Sequence, residues 1–179
     1  MPEQETTETP ETAAVIGAGL MGHGIAYLLA RAGHQVRVFD TSDDALASLA
    51  ERHLAIAELL GDDPGLSARA RPVSDMGAAV SGAGLVIEAA TENVPLKQKI
   101  FAQLEAISGP QTILASNTSS IPLKDIGRDM NDTTRLVGTH FWNPPHLVPL
   151  VEVSQLGPEN LPAVEKTIQI LAAAGRHPV

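Results

Sequence analysis

The sequence predicts an α/β domain built on a doubly wound, mostly parallel sheet. Short apolar runs alternate with longer stretches of helical period, the first run leads straight into a glycine turn, and no hairpin signal joins any two runs. With 179 residues and 44% hydrophobic content, the chain can bury one full core, so a single domain is expected.

Residues 1–11 are acidic, hold two prolines and lack an apolar run, which is the composition of a disordered tail. Ala13–Ile16 reads as a buried strand, followed by a helix from about Leu20 with Ile25, Leu28 and Leu29 facing inward. A second strand, Val36–Phe39, ends in Asp40. Thr41 with Asp44 resembles a capping box and opens a helix to about Leu60, with Leu46, Leu49, His53 and Ala57 on one stripe. His53 reads there as a partly exposed helix residue rather than a ligand. Gly61–Gly65 breaks the pattern, and residues 66–82 are irregular, with a brief strand near Arg71–Val73 and a helical turn at Met76–Val80. Leu85–Glu88 is a buried strand. Pro95 opens a helix to about Ile107, with Leu96, Ile100, Leu104 and Ile107 inward. Strands at Thr112–Ala115, Arg135–Thr139 and Leu150–Val153 follow, with a short helix over Ile121–Ile126, and Pro122 is tolerated in its first turn. Leu161, Val164, Ile168 and Leu171 mark a closing helix that ends at Gly175.

Gly17, Gly19 and Gly22 have G-x-G-x-x-G spacing between an apolar strand and a helix. In that context the glycines serve a tight turn, close backbone approach to a pyrophosphate, and close helix–strand packing. The helix N-terminus then faces the phosphates with the positive end of its dipole. An acid at the end of the second strand, Asp40, stands where a ribose 2′-hydroxyl would be held, though it also reads as a loop acid or helix cap. Asp40 would repel a 2′-phosphate, and Thr41 and Ser42 are not the arginine that such a phosphate would want. The expected cofactor is NAD, and the expected fold is of the Rossmann type.

Composition excludes other classes. The net charge of −9 argues against nucleic-acid binding. No apolar run approaches a membrane span, and a cytoplasmic location is expected. Zero cysteines remove disulfides, thiolate zinc sites and cysteine nucleophiles. No metal is indicated, since His23, His34, His146 and His177 are scattered without ligand spacing.

Ligands of an open α/β sheet lie beyond the carboxyl ends of its strands. Glu92, Ser116–Ser120, His140 and Asn143 fall there, and Glu152 sits on the next predicted strand. Ser-Asn-Thr-Ser-Ser before Ile-Pro reads equally as a turn, and a lone histidine is more often structural. If His140 and Glu152 are neighbours, the carboxylate accepts from one ring nitrogen and leaves the other as a base.

Gly-Ala-Gly-Leu-Met-Gly-His-Gly-Ile-Ala, Ala-Ser-Asn-Thr-Ser-Ser-Ile and Gly-Thr-His-Phe-Trp-Asn-Pro-Pro with Leu-Val-Glu-Val occur in this order. From about Thr12 onward the chain resembles the NAD-binding domain of the L-3-hydroxyacyl-CoA dehydrogenase family. The resemblance implies a small-molecule substrate, with His140 as the general base, Glu152 as its orienting acid and Ser119 as a donor to the substrate oxygen. It maps NAD contacts onto Gly17, Gly19, Leu20, Met21 and Gly22, and onto Asp40, Glu92, Lys97, Ser119 and Asn143. The reaction implied is oxidation of an (S)-3-hydroxyacyl-CoA, with NAD as acceptor.

Three departures qualify that expectation. The family's helical second domain, which carries its dimer interface and a further active-site asparagine, is not in this sequence; an excised fragment of a homodimer, with little turnover alone, is expected, the alternative being a non-catalytic NAD-binding module. Between Ala45 and Pro72 the only basic residues are Arg52, Arg69 and Arg71, where the family holds CoA phosphates with a lysine and neighbours. Asn-Pro-Pro-His-Leu-Val-Pro-Leu-Val-Glu also resembles the L-gulonate and carnitine dehydrogenase branch, which acts on hydroxy acids without CoA.

Overall fold

The computed structural model describes residues 12–179, so the expected tail over residues 1–11 lies outside the described residues. Its strands are β1 (Thr12–Ile16), β2 (Gln35–Phe39), β3 (Ala70–Pro72), β4 (Leu85–Glu88), β5 (Ile113–Ser116), β6 (Leu136–Phe141), β7 (Leu150–Ser154) and β8 (His177–Pro178). They form one sheet in the order β3-β2-β1-β4-β5-β6-β7-β8. The helices are α1 (Gly22–Arg31), α2 (Asp43–Ala47), α3 (Leu49–Leu60), α4 (Met76–Val80), α5 (Val94–Ile107), α6 (Leu123–Ile126) and α7 (Leu161–Ala173). The strand order runs outward in both directions from β1 and β4, the switch point beyond which a crevice opens.

Strand β1 is buried on both faces, which is why its sequence is continuously apolar rather than alternating. Ala13 and Val15 pack with Ile25, Leu28 and Leu29 of α1 in one layer. Ala14 and Ile16 pack with Ile100, Phe101 and Leu104 of α5 in the other. Among the described residues, no helix is long and apolar enough to cross a membrane.

The sheet is parallel except at β6–β7, which pair antiparallel with His140 opposite Glu152. A parallel pair needs a crossover of about a dozen residues or more, and residues 142–149 are too few. The proline-containing connection has no short hairpin signature, so the sequence reading missed the reversal. Strand β8 was also missed, being only two residues long.

Helix faces differ from expectation in several places. The cap of α2 is Ser42, whose hydroxyl accepts from the Ala45 N–H at 3.2 Å, and not Thr41. The continuous helix expected to Leu60 divides at Ser48, whose hydroxyl donates to the Ala45 carbonyl at 3.0 Å and competes with the helical ladder. In α5 the buried positions are Lys97, Ile100, Phe101 and Leu104, while Leu96 and Ile107 are exposed. Lys97 faces inward because the buried Glu88 carboxylate receives its ammonium at 2.6 Å. In α7 Leu161 and Ile168 are exposed, and Thr167 turns inward with its hydroxyl donating to the Ala163 carbonyl.

His53, expected to be partly exposed, is fully buried. Its Nε2–H donates to the His23 carbonyl at 2.8 Å, and its ring meets Tyr27 edge-on at 5.5 Å. Burial disfavours the imidazolium and pushes the His53 pKa from 6.5 down to about 4. The unfolded chain therefore takes up this proton first as the pH falls. The stability it contributes is fully present above about pH 6.5 and is lost progressively toward about pH 4. We predict that urea unfolding at about pH 4.5 against about pH 7.5 shows roughly 2 kcal/mol more loss in the parent than in His53→Gln. Equal losses in both would contradict the buried neutral ring.

Candidate active site

The glycine turn after β1 is built by three different needs. Gly17 has φ 106°, a left-handed conformation, and a Cβ there would lie 2.7 Å from the Ala89 carbonyl oxygen. A Cβ on Gly22 would run into the Gly17 carbonyl. A Cβ on Gly19 would meet nothing within 4 Å, because this residue faces open space in the cleft.

Helix α1 starts without a side-chain cap and without an acid in its first turn, whereas α2, α4 and α5 are capped by Ser42, Asp75 and Asn93. An uncapped N-terminus beside an open glycine is an anion cradle, and it fits a dinucleotide pyrophosphate. Asp40 ties the turn to β2: its Oδ2 accepts from the Ala18 N–H at 2.6 Å and its Oδ1 from the Ser42 N–H at 2.8 Å.

A cleft of about 1040 Å³ runs along the carboxyl ends of the strands. From the first two strands it is lined by Gly17, Gly19, Leu20, Met21 and Asp40. From the ends of β4, β5 and β6 it is lined by Glu92, Ser119, His140 and Asn143. Gly22, Lys97 and Glu152, also singled out in the sequence, do not line it. Gly22 packs under the turn, Lys97 is buried behind the wall, and Glu152 stands outside against His140.

The cross-strand register brings Glu152 to His140, with Oε2 2.7 Å from Nδ1. This contact suits the neutral tautomer with its proton on Nδ1, from which the carboxylate accepts and in which Nε2 carries no proton. The pair is part exposed, with 27% of the His140 side chain and 51% of the Glu152 side chain accessible. The Trp142 ring sits 5.7 Å from that of His140, tilted by 43°. Asn117 supports the strand end by accepting from the Phe141 N–H at 2.9 Å.

Glu92 gathers the loop after β5. Its Oε1 accepts from the Thr118 hydroxyl at 2.6 Å and from the N–H groups of Ser119 and Ser120 at 3.1 and 3.2 Å. Burial opposes ionisation, but the Thr118 bond, the Lys97 charge and the two N–H groups outweigh it and hold the carboxyl below its usual value.

Several lining residues escaped the sequence reading. Lys99 and Gln103 of α5 line the cleft with Leu96 and Ile100. Their i, i+4 spacing was visible, but a search for apolar stripes passes over polar residues. Trp142 lies between His140 and Asn143, which were picked out, and its aromatic side chain was the available signal.

Residues 12–179 match the family described as "3-hydroxyacyl-CoA dehydrogenase, NAD binding domain". The chain belongs to this family. NAD is its cofactor. It is 37% identical over 177 residues to 3-hydroxyadipyl-CoA dehydrogenase of Escherichia coli, covering 94% of this chain and 37% of that protein. It is 37% identical over 173 residues to 5-formyl-3-hydroxy-2-methylpyridine 4-carboxylate 5-dehydrogenase of Mesorhizobium japonicum, covering 93% of this chain and 55% of that protein. The crystal structure of 3-hydroxybutyryl-CoA dehydrogenase from E. coli superposes with a TM-score of 0.86 at 36% identity, covering 96% of this chain and 38% of that one. The chain thus spans about half or less of the length of these curated relatives.

The three glycines make separable predictions. Gly19→Ala keeps the parent melting midpoint but weakens NAD binding by about tenfold or more, a loss of at least about 1.4 kcal/mol in calorimetric titration. Gly22→Ala lowers the midpoint itself. NAD binding unchanged in Gly19→Ala would contradict the cradle.

Proposed function

We propose that the full-length protein is an NAD-dependent dehydrogenase of L-3-hydroxyacyl-CoA. This chain supplies its cofactor cleft, general base, orienting acid and hydroxyl donor. The reading is carried by the His140–Glu152 pair, 2.7 Å apart, with His140 on the wall of the cleft that begins at the glycine turn.

The substrate 3-hydroxyl gives its proton to His140 Nε2, and the Nδ1–H bond to Glu152 stabilises the imidazolium that forms. NAD, when bound, accepts the hydride leaving the same carbon. Ser119, at the cleft wall, donates to the substrate oxygen, and Asn143 contacts the cofactor beside it. Leu20, Met21, Gly17 and Gly19 hold the pyrophosphate, Gly22 lets α1 start close beneath them, and Asp40 receives a ribose hydroxyl. The product is a 3-ketoacyl-CoA, the chemistry of fatty-acid β-oxidation, and we place it in the cytoplasm.

A second reading, the same chemistry on a CoA-free substrate, is favoured by one observation. Arg52, Arg69 and Arg71 are engaged by backbone carbonyls of Ala18, Gly33 and Ala68 at 3.2, 3.1 and 3.4 Å. The M. japonicum relative, as similar as the E. coli one, carries a pyridine carboxylate and no CoA in its name. Turnover of the full-length protein on 3-hydroxybutyryl-CoA compared with gulonate and carnitine separates the two.

In the full-length protein, His140→Gln is expected to lower kcat by about 10²–10⁴-fold while leaving NAD affinity unchanged. Turnover that survives the substitution would remove His140 as the base under either reading.

A further inference from the structure

The connection between the strands of His140 and Glu152 crosses the helix of the glycine turn. Residues 142–149 join β6 to β7, carry Trp142 and Asn143 of the cleft wall, and pass over the first turn of α1 at Gly24. A Cβ on Gly24 would lie 2.6 Å from Pro145 Cγ, 3.3 Å from Pro145 Cδ and 3.4 Å from His146 Nδ1. Gly24 and Pro145 are buried, and so is the His146 Nδ1 atom, so loop and helix meet without a gap. Gly24 has no positive φ, and alanine is the better helix residue. The helix itself therefore has no need of glycine here; the loop lying on it does.

The contact is stiff on both sides. Helix α1 cannot retreat, because Gly22 already packs on the Gly17 carbonyl. A proline ring has no rotamer that swings it aside. The Pro144 carbonyl accepts from the N–H groups of Leu147 and Val148, both at 3.0 Å, which makes residues 144–148 one compact turn. From the other side Arg176, 9% exposed and just before β8, donates its Nη1–H to the Pro145 carbonyl at 3.2 Å. Pro145 is thus held between α1 and the last strand.

We propose that the Pro145 ring seated on Gly24 is the registration point between the two halves of the site, setting how far Trp142, Asn143 and the His140 end of β6 stand from the glycine turn. A dinucleotide bound at the turn and a hydroxyl held at His140 must meet at one carbon, so this spacing bears on the chemistry. Gly24, Pro145 and Arg176 do not line the cleft and are positioning residues. The effect on turnover rests on the role proposed for His140, whereas the registration itself does not.

The test compares Gly24→Ala, Pro145→Ala and the double variant, all in the full-length protein. The indole N–H signal of Trp142 in nitrogen-15 NMR spectra, assigned by its loss in Trp142→Phe, reports the loop. A methyl at position 24 forces the ring back by about 0.8 Å, from 2.6 Å to the 3.4 Å at which ordinary contact begins. Gly24→Ala is therefore expected to move the indole signal and to lower turnover of 3-hydroxybutyryl-CoA by about 10²-fold, the scale of a reacting group displaced by about 1 Å. NAD binding weakens too, since Asn143 rides on the loop. Pro145→Ala opens a gap instead of a clash and costs less, about three- to tenfold. In the double variant the new methyl fills the room that Cγ leaves. Signal and turnover then return to within about threefold of the parent, the coupling expected of residues in contact.

A double variant no better than Gly24→Ala would overturn the proposal, as would an indole signal that Gly24→Ala leaves in place. So would signals that move and return while turnover never changes. If Gly24→Ala folds too poorly to assay, recovery of folding in the double variant supports the seat and its absence overturns it. A parent protein inactive on 3-hydroxybutyryl-CoA would instead refute the proposed reaction, and the indole signals alone would decide the registration.

Discussion

What the cleft offers depends on how closely α1 approaches the end of β1. The carbonyl of Gly17 occupies the space that a side chain at position 22 would need. That contact lets the chain reverse from strand to helix within a few residues and aims an uncapped helix terminus at the crevice. Asp40 reinforces it from the neighbouring strand by accepting the Ala18 N–H. The reversal of strand order between β1 and β4 then leaves the crevice open.

The chemical half of the cleft is built by a different device. Four strand ends, β4 to β7, meet there through polar side chains rather than apolar packing. Glu88 and Ser116 join β4 to β5, Asn117 reaches the backbone of β6, and Glu152 on β7 faces His140 on β6. The single antiparallel pairing matters because it sets His140 directly opposite Glu152 in the register. Cross-strand neighbours stand about 4.5–5.5 Å apart at Cβ, close enough for a carboxylate and an imidazole to bond without strain.

The parts of the fold that were readable from sequence are those in which burial and period agree. Strands β1, β4 and β5 lie inside the sheet with helices on both faces, so each appears as an apolar run, with polar residues only at an end: Thr12, Glu88 and Ser116. Asp40 and His140 stood out as polar residues at strand ends and both line the cleft, while Glu152, in the middle of β7, stood out only through its predicted neighbour His140. The burial of Lys97 and of His53 went unread for one shared reason. Each is a polar residue buried by a specific hydrogen-bonding partner, Glu88 in one case and the His23 carbonyl in the other, and hydropathy carries no record of a partner. The same partner rotates α5 away from its apolar stripe and exposes Leu96. The division of the α2–α3 segment was hidden similarly, since it follows from one serine hydroxyl bonding its own helix.

The central claim is that Glu152 fixes His140 with its proton on Nδ1 and leaves Nε2 free to act as a base. Nitrogen-15 NMR of the imidazole in the NAD-bound full-length protein tests this most directly. The account predicts a protonated Nδ1 and an unprotonated Nε2, with the preference lost in Glu152→Gln. A proton on Nε2, or the same tautomer with and without the carboxylate, would contradict it.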